Sequence, residues 1–140
     1  MFIDASAIVS ILTFEDDHEI LLRRLEASQT PRYVSPLAVF EAVAAIARKS
    51  ALLASSPVTP QIVEAAQELV ADFVKSVDAK EIMVSAEIGR KAVVEMMEHG
   101  KLIGAHAQLN FGDCFASACA KAYRVPRLYN VNEFTHTAFA

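Results

Sequence analysis

Met1-Phe2-Ile3-Asp4-Ala5-Ser6-Ala7-Ile8-Val9-Ser10-Ile11-Leu12 opens the chain, and its reading decides the fold class. Phe2-Ile3 is a short apolar run that stops at an acid; the residues after Asp4 are first small, then apolar. That order predicts a buried strand running into a helix whose first turn is closely packed. Working outward, Tyr33-Val34 follows Pro31 and reads as a second strand. Ser35-Pro36 then supplies a cap and a first-turn proline for a helix running to about Ser50. Ile82-Met83-Val84 reads as a third strand, with Ser85 capping a helix through Met97 and Gly100 as its C-cap. A loop from Lys101 to Gly112 leads to a helix from Asp113 to Tyr123 and a last strand from Arg127 to Tyr129. Two more helices fill the long connections. One runs from Asp16 to Ala27 with Ile20, Leu21 and Leu25 as its apolar stripe; the other starts at Thr59-Pro60 and is apolar at helical spacing from Ile62 to Val77. Strands alternating with helices predict right-handed crossovers and a parallel sheet covered on both faces. The expectation is one α/β domain over residues 1–140.

The bulk composition is compatible with this and excludes other classes. With 140 residues, 54% hydrophobic and 21% charged, the chain can bury one sizeable core and is neither disordered nor fibrous. Its apolar runs are too short to cross a bilayer and no secretory leader is visible, so a soluble cytoplasmic protein is expected. Cys114 and Cys119 lie five apart on a helix, which points them to different faces and predicts small core residues rather than a disulfide or zinc site. The four histidines lack a ligand spacing such as i, i+4. A net charge of −4 argues against a broad basic surface for nucleic acid, though not against an enzyme touching a short stretch of strand.

The informative residues are three acids in apolar or small company. Asp4 stands directly after the first strand, where α/β sheets place their ligands, and it is equally a candidate N-cap. Glu41 is the only charge between Arg32 and Arg48. The helix around it is apolar nearly all round and should be largely buried, so the carboxylate needs either a tertiary salt bridge or a metal or catalytic role. Asp113 follows Gly112 and precedes Cys114, Phe115 and Ala116, as a helix cap or as a site acid among small neighbours. Together they point to a hard divalent cation such as Mg²⁺, which takes oxygen ligands, polarises a phosphodiester and activates water.

These residues match a known family. Met1 to Ala7, the Pro-led helix carrying Glu41, and Leu109-Asn110-Phe111-Gly112-Asp113-Cys114-Phe115-Ala116 together resemble PIN domains of the VapC toxin branch, over essentially the whole chain. The resemblance implies a three-layer sandwich with a short-stranded parallel sheet. It also implies a Mg²⁺- or Mn²⁺-dependent endoribonuclease, a VapB-type antitoxin as partner, and a homodimer. By the same likeness Asp4, Glu41 and Asp113 are the metal-binding acids, and Ser6 is a polar helper hydrogen-bonded to a carboxylate or to water on the metal. The sequence departs from the family pattern near its C-terminus: Asn132 and Ala138 stand where acids are common, so Glu133 is either a fourth acid of the site or a solvated loop acid. Ala105-His106-Ala107 stands where His-Pro-Ala is common. For Arg48, two turns after Glu41 on the same helix, and for Lys121, Arg124 and Arg127 after the Asp113 helix, two readings stand: contact with the phosphates of a bound strand, or solvated surface charge. The competing reading, motivated by the lost C-terminal charge, is a catalytically weak or inactive PIN-like module that works by protein–protein binding. A haloacid dehalogenase-like phosphatase would want Asp where Ser6 stands, and a response-regulator receiver would want an acidic pair that does not occur.

Overall fold

Phe2 and Ile3 are adjacent in the chain and both fully buried, yet they serve different cores. Side chains alternate across a strand, so one goes to each face of the sheet. In the computed structural model, which describes residues 1–130, these two residues form β1 (Phe2–Ile3). Beside it lie β2 (Tyr33–Val34), β3 (Lys80–Glu81) and β4 (Arg127–Leu128), all parallel, in the order β3-β2-β1-β4. Phe2 pairs with Tyr33 on one side and Arg127 on the other.

Ile3 joins a core built from α1 (Ala5–Leu12), α2 (His18–Ala27), α3 (Pro36–Leu53) and α4 (Pro60–Ser76). Phe2 joins a second core with α5 (Ala86–His99) and α6 (Phe111–Ala122). Two helical layers around a short parallel sheet make the expected three-layer sandwich. Helix α3 bridges the layers: Ala38 packs with the α5–α6 core, and Ala42, Ile46 and Ala47 with the other. The strands wind from β1 to β2 to β3 and then jump to β4 on the far side of β1. The winding therefore reverses at β1, and the crevice at such a reversal, beyond the carboxyl ends of the strands, is where α/β sheets bind ligands. Asp4 is the first residue beyond β1.

The capping residues act as the sequence suggests: Ser35, Thr59 and Ser85 each accept a hydrogen bond from the backbone N–H three residues on, at 3.0, 3.3 and 3.2 Å. Helix α2 starts two residues later than expected, at His18, and its Ile20 is exposed while Leu21 and Leu25 are buried. Helix α3 runs on to Leu53, and α5 to His99. Strand β3 is Lys80–Glu81, upstream of the apolar Ile82-Met83-Val84. Pairing with β2 fixes that register, leaving charged residues on the sheet edge, Ile82 buried just beyond it and Met83 in solvent. The last strand ends at Leu128, one residue short of the expected end. Gly100 does cap α5, but in an extended conformation (φ −75°) rather than a left-handed one. Glycine is needed there because a Cβ would collide with the backbone of Met96. A 3-10 turn (Lys101–Ile103) breaks the loop that follows. Among the described residues no helix is long and apolar enough to cross a membrane.

Candidate active site

Asp4 occupies the N-cap position of α1, and its backbone carbonyl accepts from the Ala7 and Ile8 N–H groups at 3.1 Å. Its carboxylate, however, caps nothing. It turns instead to Arg127 on the neighbouring strand, which donates to Asp4 Oδ2 from Nε at 3.0 Å and from Nη2 at 2.5 Å. The same Nη2 reaches Asp113 Oδ1 at 3.1 Å. Two acids 109 positions apart in sequence thus converge on one guanidinium, at the point where the sheet reverses its winding.

Asp113 is held from the other side. Helix α6 starts at Phe111 with Asn110 as its cap, so Asp113 is the third helical residue and not the cap that the sequence allowed. Asn110 Oδ1 accepts from the Asp113 N–H at 2.9 Å, while Asp113 Oδ2 accepts from the Asn110 N–H at 3.1 Å. This reciprocal capping box uses one carboxylate oxygen for the helix and leaves the other for the site. Burial pushes the Asp113 carboxyl above the usual range; the Asn110 N–H and Arg127 oppose this, and the charge of Asp4 adds to it. Burial also works against the charge on Arg127, but Asp4 and Asp113 outweigh it and push its pKa further up.

Glu41 approaches from α3. The helix is not buried all round, as its composition implied: Phe40 is 74% exposed and Glu41 half-buried, because this face forms one wall of an open cleft. The Glu41 carboxylate rests on Gly112, where a Cβ would collide with both of its oxygens. Gly112 is therefore what lets a carboxylate from another helix settle beside Asp113. The cleft, about 340 Å³, is lined by Asp4, Ser6, Glu15, Glu41, Arg48 and Asp113 among others. Ser6 Oγ accepts from the Asn130 backbone N–H at 3.0 Å, tying the start of α1 to the segment just after β4. Glu133 and Asn132 lie outside the described residues. The two cysteines are buried core thiols, Cys119 pushed up by burial to about 11.

The full length of the chain, residues 1–140, matches the PIN domain family model. The chain belongs to the PIN-domain family. Its relatives include a VapC ribonuclease of Rhizobium meliloti, 37% identical over 137 residues and covering 97% of this chain and 96% of the relative. Ribonuclease VapC42 of Mycobacterium tuberculosis is 31% identical over 140 residues, covering 98% and 95%. This PIN domain also shares its fold with the crystal structure of Mycobacterium tuberculosis VapC20, described as a sarcin-ricin loop cleaving toxin, at a TM-score of 0.66 and 16% identity over 96% of this chain and 92% of that one. The chain is thus a PIN domain of the VapC ribonuclease branch.

Two site residues of this PIN domain escaped the sequence reading. Arg127 is no solvated charge: its side chain is 14% exposed and pairs with both acids. The signal was its place inside a two-residue parallel strand, where both faces are covered and apolar residues are the rule. Arg124 is exposed, as read; Lys121 is exposed too, but its ammonium pairs with the buried Glu95 carboxylate. Glu15 lines the cleft, accepting from Lys49 Nζ at 2.6 Å and from Asn130 Nδ2 at 2.8 Å. It sits in a loop after α1, and nothing in the local pattern marked it. Among the described residues no three acids, imidazoles or thiols already stand as a metal-ligating cluster. The donors themselves are all carboxylate oxygens, the kind that Mg²⁺ and Mn²⁺ prefer over zinc. The donor set fits a hard divalent cation.

Proposed function

We propose that this protein is the endoribonuclease toxin of a toxin–antitoxin pair, hydrolysing RNA phosphodiesters with Mg²⁺ or Mn²⁺ held by Asp4, Glu41 and Asp113. The observation that carries this is the convergence of Asp4 and Asp113 on one guanidinium, in a cleft that Glu41 lines from α3. When bound, the cation supplies Lewis-acid activation of the scissile phosphate and of the attacking water. The residues of the chain do the rest. The capping box fixes the Asp113 carboxylate, Gly112 gives Glu41 its seat, and the turn into α1 aims Asp4 outward from the sheet. Ser6, accepting from Asn130, keeps its own hydroxyl proton to donate toward the carboxylates. Arg48, exposed at the cleft rim, flanks the phosphate backbone of the bound strand. Glu133, which lies outside the described residues, is the candidate for a fourth acid that the family resemblance offers.

Residues 1–140 work as one domain in the cytoplasm, as a homodimer, with a VapB-type antitoxin as the controlling partner. Cleavage of total RNA by antitoxin-free protein, with Mg²⁺ or Mn²⁺ against EDTA and beside Asp113→Asn, tests the reading. Metal-dependent cutting lost in the variant supports it. Folded protein that cuts nothing and binds no Mn²⁺ would instead establish the second reading, a binding module, which the internal pairing of both acids with Arg127 favours.

A further inference from the structure

We propose that Arg127 is an internal counter-ion that competes with the divalent cation for Asp4 and Asp113, and so sets the metal affinity of this site. The inference rests on the metal-dependent reading above. A single nitrogen, Arg127 Nη2, contacts both acids, at 2.5 and 3.1 Å, and fills the interval in which a cation shared by them must sit. All three side chains are shielded, at 14%, 8% and 13% exposure, so water does not screen the competition. Arg127 cannot retreat by moving its backbone, because β4 is paired to β1 through Phe2 and Ile3. It has somewhere to go by rotating its side chain. Arg127 also lines a second cleft of about 210 Å³ with Glu95, Lys121 and Tyr129, and its guanidinium carbon already stands 5.1 Å from the Tyr129 ring centroid. There the guanidinium keeps an aromatic face and gains the buried Glu95 carboxylate as a neighbour. Two acids against one arginine leave a net negative charge, so the closed site still attracts a cation. Arg127 thus weakens metal binding without abolishing it, and at low metal it holds the two acids together in place of the ion.

The test is Mn²⁺ titration of the full-length, antitoxin-free protein, with free Mn²⁺ read by electron paramagnetic resonance and melting compared in Mn²⁺ and EDTA. Arg127→Leu should tighten Mn²⁺ binding about tenfold or more and enlarge the rise in melting temperature that Mn²⁺ produces. Arg127→Lys, which keeps a point charge but loses the fork that spans both acids, should fall between. If Arg127→Leu folds only with Mn²⁺ present, the ion is replacing the lost guanidinium, which supports the proposal. If it folds under neither condition, Arg127→Lys decides: tighter binding supports the proposal and unchanged binding overturns it. Binding in Arg127→Leu that is unchanged or weaker, with wild-type binding still lost in Asp113→Asn, overturns the competition and leaves the ribonuclease reading intact. Absence of Mn²⁺ binding in wild type and Arg127→Leu alike overturns both.

Discussion

Two sets of acids beside α6 are shielded from water, and they are compensated differently. Glu95 on α5 is buried and paired one-to-one with Lys121, whose side chain is 60% exposed. Asp4 and Asp113 share a single arginine, and every member of that trio is shielded. The first arrangement is electrically closed: a flexible lysine reaches in from solvent, and nothing more is required of the pair. The second sets two carboxylates against one guanidinium, in a cleft that Glu15, Glu41 and Arg48 also line. Uncompensated buried charge costs stability, and it persists where a ligand supplies what the fold does not. By that measure the Glu95 pair is structural and the Arg127 trio is part of the proposed active site.

Neutralising an acid of the Arg127 trio and, separately, the lysine of the Glu95 pair should have the largest and most different effects. Asp4→Asn and Asp113→Asn should each lower metal-dependent RNA cleavage more than about 100-fold while the circular dichroism spectrum stays native. Lys121→Met should lower cleavage far less than either Asn variant but cost about 1–3 kcal/mol in urea unfolding, because the Glu95 carboxylate loses its lysine partner. Equal loss of cleavage in Lys121→Met would erase the distinction. A smaller effect is expected at Gly112. Gly112→Ala must push the Glu41 carboxylate off its seat, lowering cleavage about tenfold, yet the added methyl raises helix propensity by up to about 1 kcal/mol. A rate that falls without a fall in melting temperature sharpens the case for Glu41. A rate that stays put shows that its seat on Gly112 is dispensable. Smaller again is Asn110→Ala, which removes half of the capping box and should cost about 1 kcal/mol of stability.

The architecture was largely legible in the sequence because each strand-to-helix junction carries its own signal. Ser35-Pro36, Thr59-Pro60 and Ser85 mark helix starts by local chemistry, and local chemistry is what a sequence displays. Strand β3 was misplaced because its register is dictated by β2 and not by its own hydrophobicity, so the paired residues are Lys80 and Glu81 while the apolar run lies beyond. In the site, the three acids stood out because each is a carboxylate in apolar company. Glu41 was legible as an anomaly, but the reason it is tolerated was not, since the exposed Phe40 face and the Gly112 seat exist only once α3 meets α6. Arg127 was misread because its two partners lie 123 and 14 residues away, and only the β1–β4 pairing brings them within reach.

Burial raises the Asp113 carboxyl above its ordinary value of about 4, against the pull of Asn110 and Arg127. In the metal-free protein the folded state therefore holds the Asp113 proton at pH values where the unfolded chain has released it. Stability contributed by that proton is fully present below about pH 4 and is lost as the pH rises through the folded-state pKa. Asp113→Asn cannot titrate, so wild-type stability minus variant stability, measured by urea unfolding in EDTA, should decline as the pH rises through this window. A difference that instead grows with pH would mean that Arg127 and the capping box outweigh burial, making the trio as closed a unit as Glu95 and Lys121. Repeating the series in Mn²⁺ separates the two sets again. A cation on Asp113 favours its ionised form and should flatten or reverse the decline, whereas the Glu95–Lys121 pair offers the ion nothing to bind.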